Sequence, residues 1–110
     1  MSLEKSLDDY TKRKTEEDQI DSEYAAKLLD KYAAEAAIFI VDTGMNVVWA
    51  ARFVKGTGKC YLTGSFNHGS MANALPMAIG AAAASPGRQV VAMCGDGGLS
   101  MLLGDLATLM

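Results

Sequence analysis

The sequence predicts an α/β fold in which a parallel sheet has helices on both faces. Three short apolar runs, Ile38–Val41 and residues 60–62 and 89–94, alternate with segments of helical periodicity or composition. Strands that alternate with helices favour parallel pairing through right-handed crossovers. Because these runs are apolar at almost every position, they suit strands that are buried on both faces.

Composition and charge limit the class of protein. The 110 residues are 50% hydrophobic and 21% charged, which is typical of one globular domain. Residues 1–35 contain six Lys/Arg against ten Asp/Glu (net −4), and residues 36–110 contain four against three (net +1). The overall charge of −3 argues against nucleic-acid binding. We expect a cytoplasmic protein without a membrane segment, since no apolar run reaches the ~18–20 residues of a membrane span and no signal peptide is recognisable.

The N-terminal third contains one convincing helix. Residues 1–21 alternate charges without a sustained apolar stripe, and we interpret them as a linker or frayed helix. Residues 22–37 predict an amphipathic helix capped by Ser22. Its expected apolar stripe consists of Tyr24, Leu28 and Tyr32. The run Ile38–Val41 then forms the first strand.

The remaining elements follow from composition. Asn46 is expected to cap a helix that ends at Phe53. Residues 71–84 contain seven alanines and predict a helix that packs closely, with a kink or restart at Pro76. A last apolar helix is expected from residue 100 to Met110, where the chain ends without a cap, so we expect a truncated domain.

The two cysteines indicate neither a disulfide nor a zinc site. Cys60 and Cys94 lie 34 residues apart, and the sequence has no CxxC pattern and no second group of potential ligands. We therefore expect two reduced, buried thiols.

Three glycine-containing loops follow the predicted strands, at residues 42–46, 63–70 and 95–98. In open α/β sheets, ligands bind beyond the carboxyl ends of the strands. Glycine lets a ligand approach the backbone, and free N–H groups at a helix N-terminus attract phosphate. The loops together predict an anion-binding pocket.

Asp96 adds a cation to this expectation. A carboxylate repels a neighbouring phosphate unless a cation lies between them, and Mg²⁺ is typically held by one or two carboxylates with phosphate oxygens. Gly97 and Gly98 would leave room for a diphosphate. Residues 95–98 could equally form a plain β-turn, because Asp-Gly is a common turn dipeptide. The sequence has neither a Walker loop nor a GxGxxG motif.

Two segments resemble thiamine-diphosphate-dependent enzymes: residues 69–76, Gly-Ser-Met-Ala-Asn-Ala-Leu-Pro, and residues 89–98, Gln-Val-Val-Ala-Met-Cys-Gly-Asp-Gly-Gly. Within that superfamily, residues 64–73 look more like pyruvate oxidase, in its quinone-reducing pyruvate dehydrogenase form, than like acetolactate synthase. The resemblance implies that residues 22–110 form the N-terminal half of a thiamine-diphosphate-binding domain.

The resemblance also implies roles for particular residues. Asp96 would be a Mg²⁺ ligand, and the backbone of Gly97 and Gly98 would face the diphosphate. Met71 would lie under the cofactor and enforce its V shape, unless it is simply a core methionine. The cofactor loops would further include Gly69, Ser70, Gly44, Met45 and Asn46. His68 could face the substrate or bond to the backbone, and Trp49 is expected to pack against the sheet.

For the parent enzyme, the resemblance implies oxidative decarboxylation of pyruvate or a similar 2-keto acid, with FAD bound outside this chain, and a homo-oligomer. The family's asparagine ligand would fall beyond Met110, and its activating glutamate belongs to another domain. We therefore expect no catalytic residue in this chain and no activity from it alone. Two alternatives stay open: an acetolactate synthase-like fragment, or a non-catalytic association module with apolar surfaces.

Overall fold

The computed structural model describes residues 20–110, together with Ser2 and Lys5. The expected linker or frayed helix at residues 1–21 therefore lies almost wholly outside the described residues. The elements, in chain order, are α1 (Ser22–Tyr32), β1 (Ile38–Val41), α2 (Met45–Phe53), β2 (Tyr61–Gly64), α3 (Ala74–Ala84), β3 (Val90–Met93), α4 (Asp96–Met101) and a 3-10 helix (Leu103–Leu109).

The three strands form a parallel sheet in the order β2-β1-β3. Ile38 of β1 is opposite both Tyr61 of β2 and Val90 of β3. The chain moves to one side of β1 through α2 and then crosses to the other side through α3. Crossovers between parallel strands are right-handed. Two such crossovers that move in opposite directions across the sheet therefore place α2 and α3 on opposite faces.

The side chains of β1 divide the core into two clusters. Phe39 and Val41 pack in a cluster with Ala50 and Phe53 of α2. Ile38 and Ile40 pack with Ala74 on the other face. This alternation is the two-residue period of a strand, and every position of β1 is buried. The predicted α/β class with helices on both faces is confirmed.

The predicted apolar stripe of α1 is wrong. Tyr24 and Tyr32 are 40% and 72% exposed, whereas Glu23 and Ala26 are buried. The helix packs against α2 rather than flat on the sheet, and the small side chain of Ala26 fits that contact. The N-cap is Asp21 rather than Ser22, since Asp21 Oδ1 accepts the Glu23 N–H at 2.8 Å.

The starts of the other helices also differ from expectation. Asn46 is not a cap, because α2 begins at Met45 and the N-cap position is Gly44. Of the two outcomes expected near Pro76, the kink is wrong, but a helix start close to the proline is observed: α3 begins at Ala74, so Pro76 falls in its first turn. A proline is tolerated there, since the first N–H groups of a helix have no acceptor within it.

The C-terminal helix is split. Instead of one helix from residue 100, α4 spans Asp96–Met101 and a 3-10 helix spans Leu103–Leu109. In the described part of the chain, no helix is both long and apolar enough to cross a bilayer.

Hydrogen bonds at the amino end of the sheet join the segments that precede the strands. The Arg88 guanidinium donates to the carbonyls of Ala36 and Lys59, the latter at 2.7 Å. Thr57 Oγ1 donates to Glu35 O at 3.0 Å. The thiol of Cys60 donates to Lys55 O at 3.3 Å, and both cysteines are free and half-buried rather than fully buried.

A glycine in β2 tests the packing of this sheet. A Cβ at Gly64 would lie 2.8 Å from Val41 O and 2.9 Å from Val41 Cγ2. We expect Gly64→Ala to lower the free energy of unfolding by about 1–3 kcal/mol, because backbone atoms would have to shift. Urea unfolding followed by circular dichroism measures the change.

Gly80 provides the matched control. It lies inside α3, with nothing within 4 Å of a Cβ at that position. Gly80→Ala should therefore be neutral or stabilise the chain by up to about 1 kcal/mol through helix propensity. If Gly64→Ala and Gly80→Ala unfold at the same urea concentration, the close packing of Gly64 against β1 is contradicted.

Candidate functional site

The site lies at the carboxyl ends of β1 and β3, which are neighbours in the sheet. The connections that leave these two adjacent strands run to opposite faces, so their loops separate at the carboxyl end of the sheet, where ligands bind in open α/β folds. A cavity of about 650 Å³ opens at this point. It extends along β3, and Ala25, Ala26 and Leu29 of α1 line another part of its wall.

Seven of the nine predicted site residues line this one cavity: Gly44, Met45, Asn46, Met71, Asp96, Gly97 and Gly98. Gly69 and Ser70 do not line it. They belong to the loop after β2, and Thr43 Oγ1 donates a 2.8 Å hydrogen bond to Ser70 O. The structure thus brings most of the predicted residues together, while their roles toward a cofactor stay predictions.

Two helices begin at the cavity with glycine in the N-cap position. Gly44 precedes α2 and Gly95 precedes α4, and neither helix has a side-chain cap. The first N–H groups of a helix have no partner within it. Because residues 44–46 and 95–98 line the cavity, these N–H groups lie where an anion could bind.

Met71 and Asp96 are both exposed at the cavity. Met71 is 54% exposed and precedes α3, so it is not a core methionine. Its Cε would lie 3.7 Å from a Cβ at Gly97, which places the thioether over the turn that starts α4. That turn is the junction of a strand with a helix rather than a plain β-turn, since α4 begins at Asp96.

Other side chains near the site divide between packing and exposure. Trp49 lines the cavity and packs against the cluster that contains Phe39, as expected from its position on α2. His68 is exposed and does not line the cavity.

Asp42 is the residue that the sequence analysis missed. It follows β1 directly and is 1% exposed, yet it is charged. Its Oδ1 accepts the N–H groups of Thr43 at 3.0 Å and Asn73 at 3.2 Å. The signal in the sequence is an acidic residue at the end of a four-residue apolar strand, immediately before a glycine loop.

The same carboxylate lies against the first turn of α4. A Cβ at Gly98 would overlap Asp42 Oδ2 and lie 2.8 Å from Asp42 Cγ. Gly98 is therefore a glycine for steric reasons within the protein, whatever a ligand requires.

Asn73 ties the loop before α3 to the end of β1. Its Nδ2 donates to Val41 O at 3.1 Å and to Met77 Sδ at 3.4 Å. Its Oδ1 is buried without a partner among the described residues. The residue before it, Ala72, has a φ of +63°, a conformation that costs a non-glycine residue roughly 1–2 kcal/mol.

Cys94 directly follows β3 and lines the cavity. Burial raises the pKa of its thiol above the ordinary value of 9.0, and the negative charge of Asp42 raises the pKa further. The thiol is therefore protonated at neutral pH, and a protonated thiol is a poor nucleophile.

No protein-only metal cage is present in the described segment. Residues 20–110 contain no group of three or more His, Cys, Asp or Glu side chains that could hold an ion. Among the described cavity-lining residues, Asp96 is the acidic one. A Mg²⁺ ion here would need phosphate or water oxygens for most of its ligands, which is a common arrangement for this ion.

Comparison with known families decides the relationship. The family described as "Thiamine pyrophosphate enzyme, C-terminal TPP binding domain" matches residues 42–110. The chain belongs to this family. The match begins at Asp42, so it includes both cavity loops and all nine predicted site residues.

Individual relatives are similar over most of the chain. It is 41% identical over 80 residues (73% of the chain) to the putative thiamine pyrophosphate-containing protein YdaP of Bacillus subtilis strain 168. It is 38% identical over 96 residues (87% of the chain) to acetolactate synthase 2, chloroplastic, of Brassica napus. It is 35% identical over 83 residues (76% of the chain) to the acetolactate synthase large subunit of Lactococcus lactis. The aligned part is 14%, 15% and 14% of these relatives' lengths.

These comparisons confirm the thiamine-dependent family predicted from residues 69–76 and 89–98. They do not support the narrower prediction of pyruvate oxidase, because the similar proteins are mostly acetolactate synthases. The alternative stated from the sequence, an acetolactate synthase-like parent, fits them better.

The raised pKa of Cys94 gives a pH prediction. In a Cys60→Ser background, we expect the alkylation rate of Cys94 by iodoacetamide to rise at a higher pH in the folded chain than in the urea-unfolded chain. As the pH rises above 9.0, the unfolded chain loses this proton before the folded chain does. Deprotonation therefore stabilises the unfolded state, and the free energy of unfolding should fall. Equal midpoints for alkylation in the two states would contradict the buried environment of the thiol.

Proposed function

We propose that this chain supplies a thiamine pyrophosphate site to an enzyme that acts on 2-keto acids, of the acetolactate synthase type. The supporting observation is that two glycine-capped helix starts, from the loops after β1 and β3, line one cavity at the point where the sheet connections reverse. Both helix starts belong to the segment that matches the family.

The residues present fit a diphosphate held with Mg²⁺. The N–H groups at the starts of α2 and α4 can donate to phosphate oxygens. Gly97 adds no side chain to the wall, and a Cβ there would meet only Met71 Cε, at 3.7 Å. The exposed carboxylate of Asp96 lies in the first turn of α4, where it can hold the cation that joins it to the diphosphate.

Thiamine pyrophosphate, when bound, supplies the electron sink that allows the bond between the carbonyl carbon and the carboxylate of a 2-keto acid to break. This chain's residues would bind and orient the cofactor. Met71 would support it from below, next to Gly97. The apolar walls formed by Leu29, Trp49 and Val91 would exclude water, which strengthens the electrostatic contacts to the diphosphate.

A second candidate is the oxidation of pyruvate, with FAD bound outside this chain. The likeness of residues 64–73 to pyruvate oxidase favours it, whereas the acetolactate synthase relatives favour joining of two 2-keto acids. The two functions differ in product: acetolactate in one case, and an oxidised two-carbon acid with a reduced acceptor in the other. In either case we propose a homo-oligomer, since Met101, Leu103 and Leu109 near the C-terminus are exposed.

Cofactor binding is the first test of the proposed function. We expect calorimetry to detect saturable binding of thiamine pyrophosphate that requires Mg²⁺. Asp96→Asn should weaken it by at least about tenfold, or about 1.4 kcal/mol, because the cation loses its charged protein ligand. Asp105→Asn, in the 3-10 helix outside the cavity, should leave the affinity unchanged.

Two results would count against this function. One is an absence of binding at millimolar thiamine pyrophosphate by a chain whose circular dichroism shows that it is folded, which would favour the association module. The other is binding that Asp96→Asn and Asp105→Asn reduce equally.

The chain alone should not turn over substrate. The titratable side chains among the described cavity residues are Asp96, which the proposal assigns to the metal, and Cys94, whose pKa is raised. We therefore expect no CO₂ release and no acetolactate from pyruvate above the level given by free cofactor with Mg²⁺. Turnover that saturates with pyruvate and disappears in Asp96→Asn would overturn this expectation.

A further inference from the structure

Asp42 contacts two separate parts of the chain: the loop before α3 and the first turn of α4. On one side, its Oδ1 accepts the N–H of Asn73, the last residue before α3, at 3.2 Å. On the other side, its Oδ2 lies against the backbone of Gly98 in α4. The carboxylate is 1% exposed and does not line the cavity. It can therefore act on a ligand only through the residues that it holds.

The contact with Asn73 fixes an unfavourable backbone turn. Ala72 has a φ of +63°, which L-residues other than glycine seldom adopt, and it is 4% exposed. Such a conformation persists where the surroundings over-determine it. Here a charge-assisted hydrogen bond to the next N–H, stronger than a neutral one, supplies that constraint.

The turn at Ala72 sets where Met71 lies. Met71 is the residue before the turn, and its Cε would be 3.7 Å from a Cβ at Gly97. Gly97 in turn precedes Gly98, which lies against Asp42. The Asp42 carboxylate thus contacts Asn73 on one side and Gly98 on the other, and Met71 and Gly97 lie between these two contacts. The backbone N of Ala72 would also lie 3.4 Å from a Cβ at Gly98, so the loop before α3 packs tightly against the first turn of α4.

A buried charge at this position is costly to the fold. An unpaired carboxylate loses its hydration on burial, and two N–H groups offset only part of that loss. A neutral side chain could fill the same space at the end of β1. The charge is therefore best explained by what it positions.

We propose that Asp42 is a positioning residue for the cofactor site: it sets the distance between Met71 and the Gly97–Gly98 turn, and so the width of the cavity that receives thiamine pyrophosphate. The part that concerns the cofactor rests on the proposed function. The part that concerns the width of the cavity does not.

The first readout needs no ligand. Trp49 is the single tryptophan of the sequence and lines the cavity. In Asp42→Ala, the released loop should leave the cavity wider, so quenching of Trp49 fluorescence by acrylamide should increase. Asp42→Asn keeps an oxygen that can accept from Asn73, and its quenching should lie between those of Asp42→Ala and the unchanged chain.

The second readout is cofactor affinity, measured by titrating Trp49 fluorescence with thiamine pyrophosphate and Mg²⁺. Asp42→Ala should weaken binding by at least about tenfold, and Asp42→Asn by less. Adding Ala72→Gly to Asp42→Asn should restore part of the affinity, because glycine adopts the positive φ without the steric cost. The rescue supports positioning only where the affinity recovers in variants that circular dichroism shows to be fully folded before and after the addition of Ala72→Gly.

Thr57→Val is the matched control at the opposite end of the sheet. It removes the hydroxyl that donates to Glu35 O and accepts hydrogen bonds from the N–H groups of Lys59 and Cys60 at 3.2 and 3.0 Å. We expect it to lower the urea midpoint without changing either Trp49 readout. If Asp42→Ala does not fold, Asp42→Asn with and without Ala72→Gly decides the proposal.

The outcomes separate the two proposals. Unchanged quenching and unchanged affinity in the folded Asp42 variants would overturn the role of Asp42, as would equal changes in Thr57→Val. If the unchanged chain does not bind the cofactor, the proposed function fails, and quenching alone then decides whether Asp42 sets the width of the cavity. Increased quenching in the Asp42 variants but not in Thr57→Val would support it.

Discussion

The burial of β1 on both faces is the constraint on which the structure depends. A four-residue strand with no polar side chain can be stable only if both faces are covered. Right-handed connections achieve this when the chain places β2 on one side of β1 and β3 on the other. The same reversal separates the loops after β1 and β3, so the requirement to cover Ile38–Val41 also creates the cavity.

The two ends of the sheet are held in different ways. At the amino end, Arg88 and Thr57 bond to backbone carbonyls of the preceding segments, at Ala36, Lys59 and Glu35. These hydrogen bonds join the segments that lead into the strands, and no strand residue takes part in them. At the carboxyl end, Asp42, Thr43 and Asn73 hold the loops through bonds to N–H groups and to Ser70 O. Asp42 and Asn73 do not themselves line the cavity, so their contacts leave it open.

Sequence reasoning succeeded where one local pattern determines the structure. Ile38–Val41 was predicted with its observed bounds, since a continuous apolar run beside glycine loops has few alternatives. Three loops, at residues 42–46, 63–70 and 95–98, are predicted to meet because parallel strands end at the same edge, and residues of the first and third line the cavity, whereas none of residues 63–70 does. These two results account for the fold class and for most of the cavity.

The sequence failed where a partner distant in the chain decides. The buried face of α1 is that of Ala26 rather than Tyr24, because the helix packs mainly against α2. Asp42 could not be ranked above any other loop aspartate, because its significance comes from Asn73 and Gly98, 31 and 56 positions away. Gly98 illustrates the same limit: the motif suggested room for a ligand, whereas the closest atoms belong to Asp42.

The two aspartates near the cavity have opposite environments, and this explains how a cavity lined by a carboxylate can suit a diphosphate. Asp42 is buried, and N–H groups of Thr43 and Asn73 stabilise its charge inside the protein. Asp96 is exposed, and its charge is free to bind a cation. Among the described residues that line the cavity, none is Lys or Arg. A diphosphate in the proposed site would therefore depend on helix N–H groups and on a divalent cation, rather than on basic side chains, for the balance of its charge.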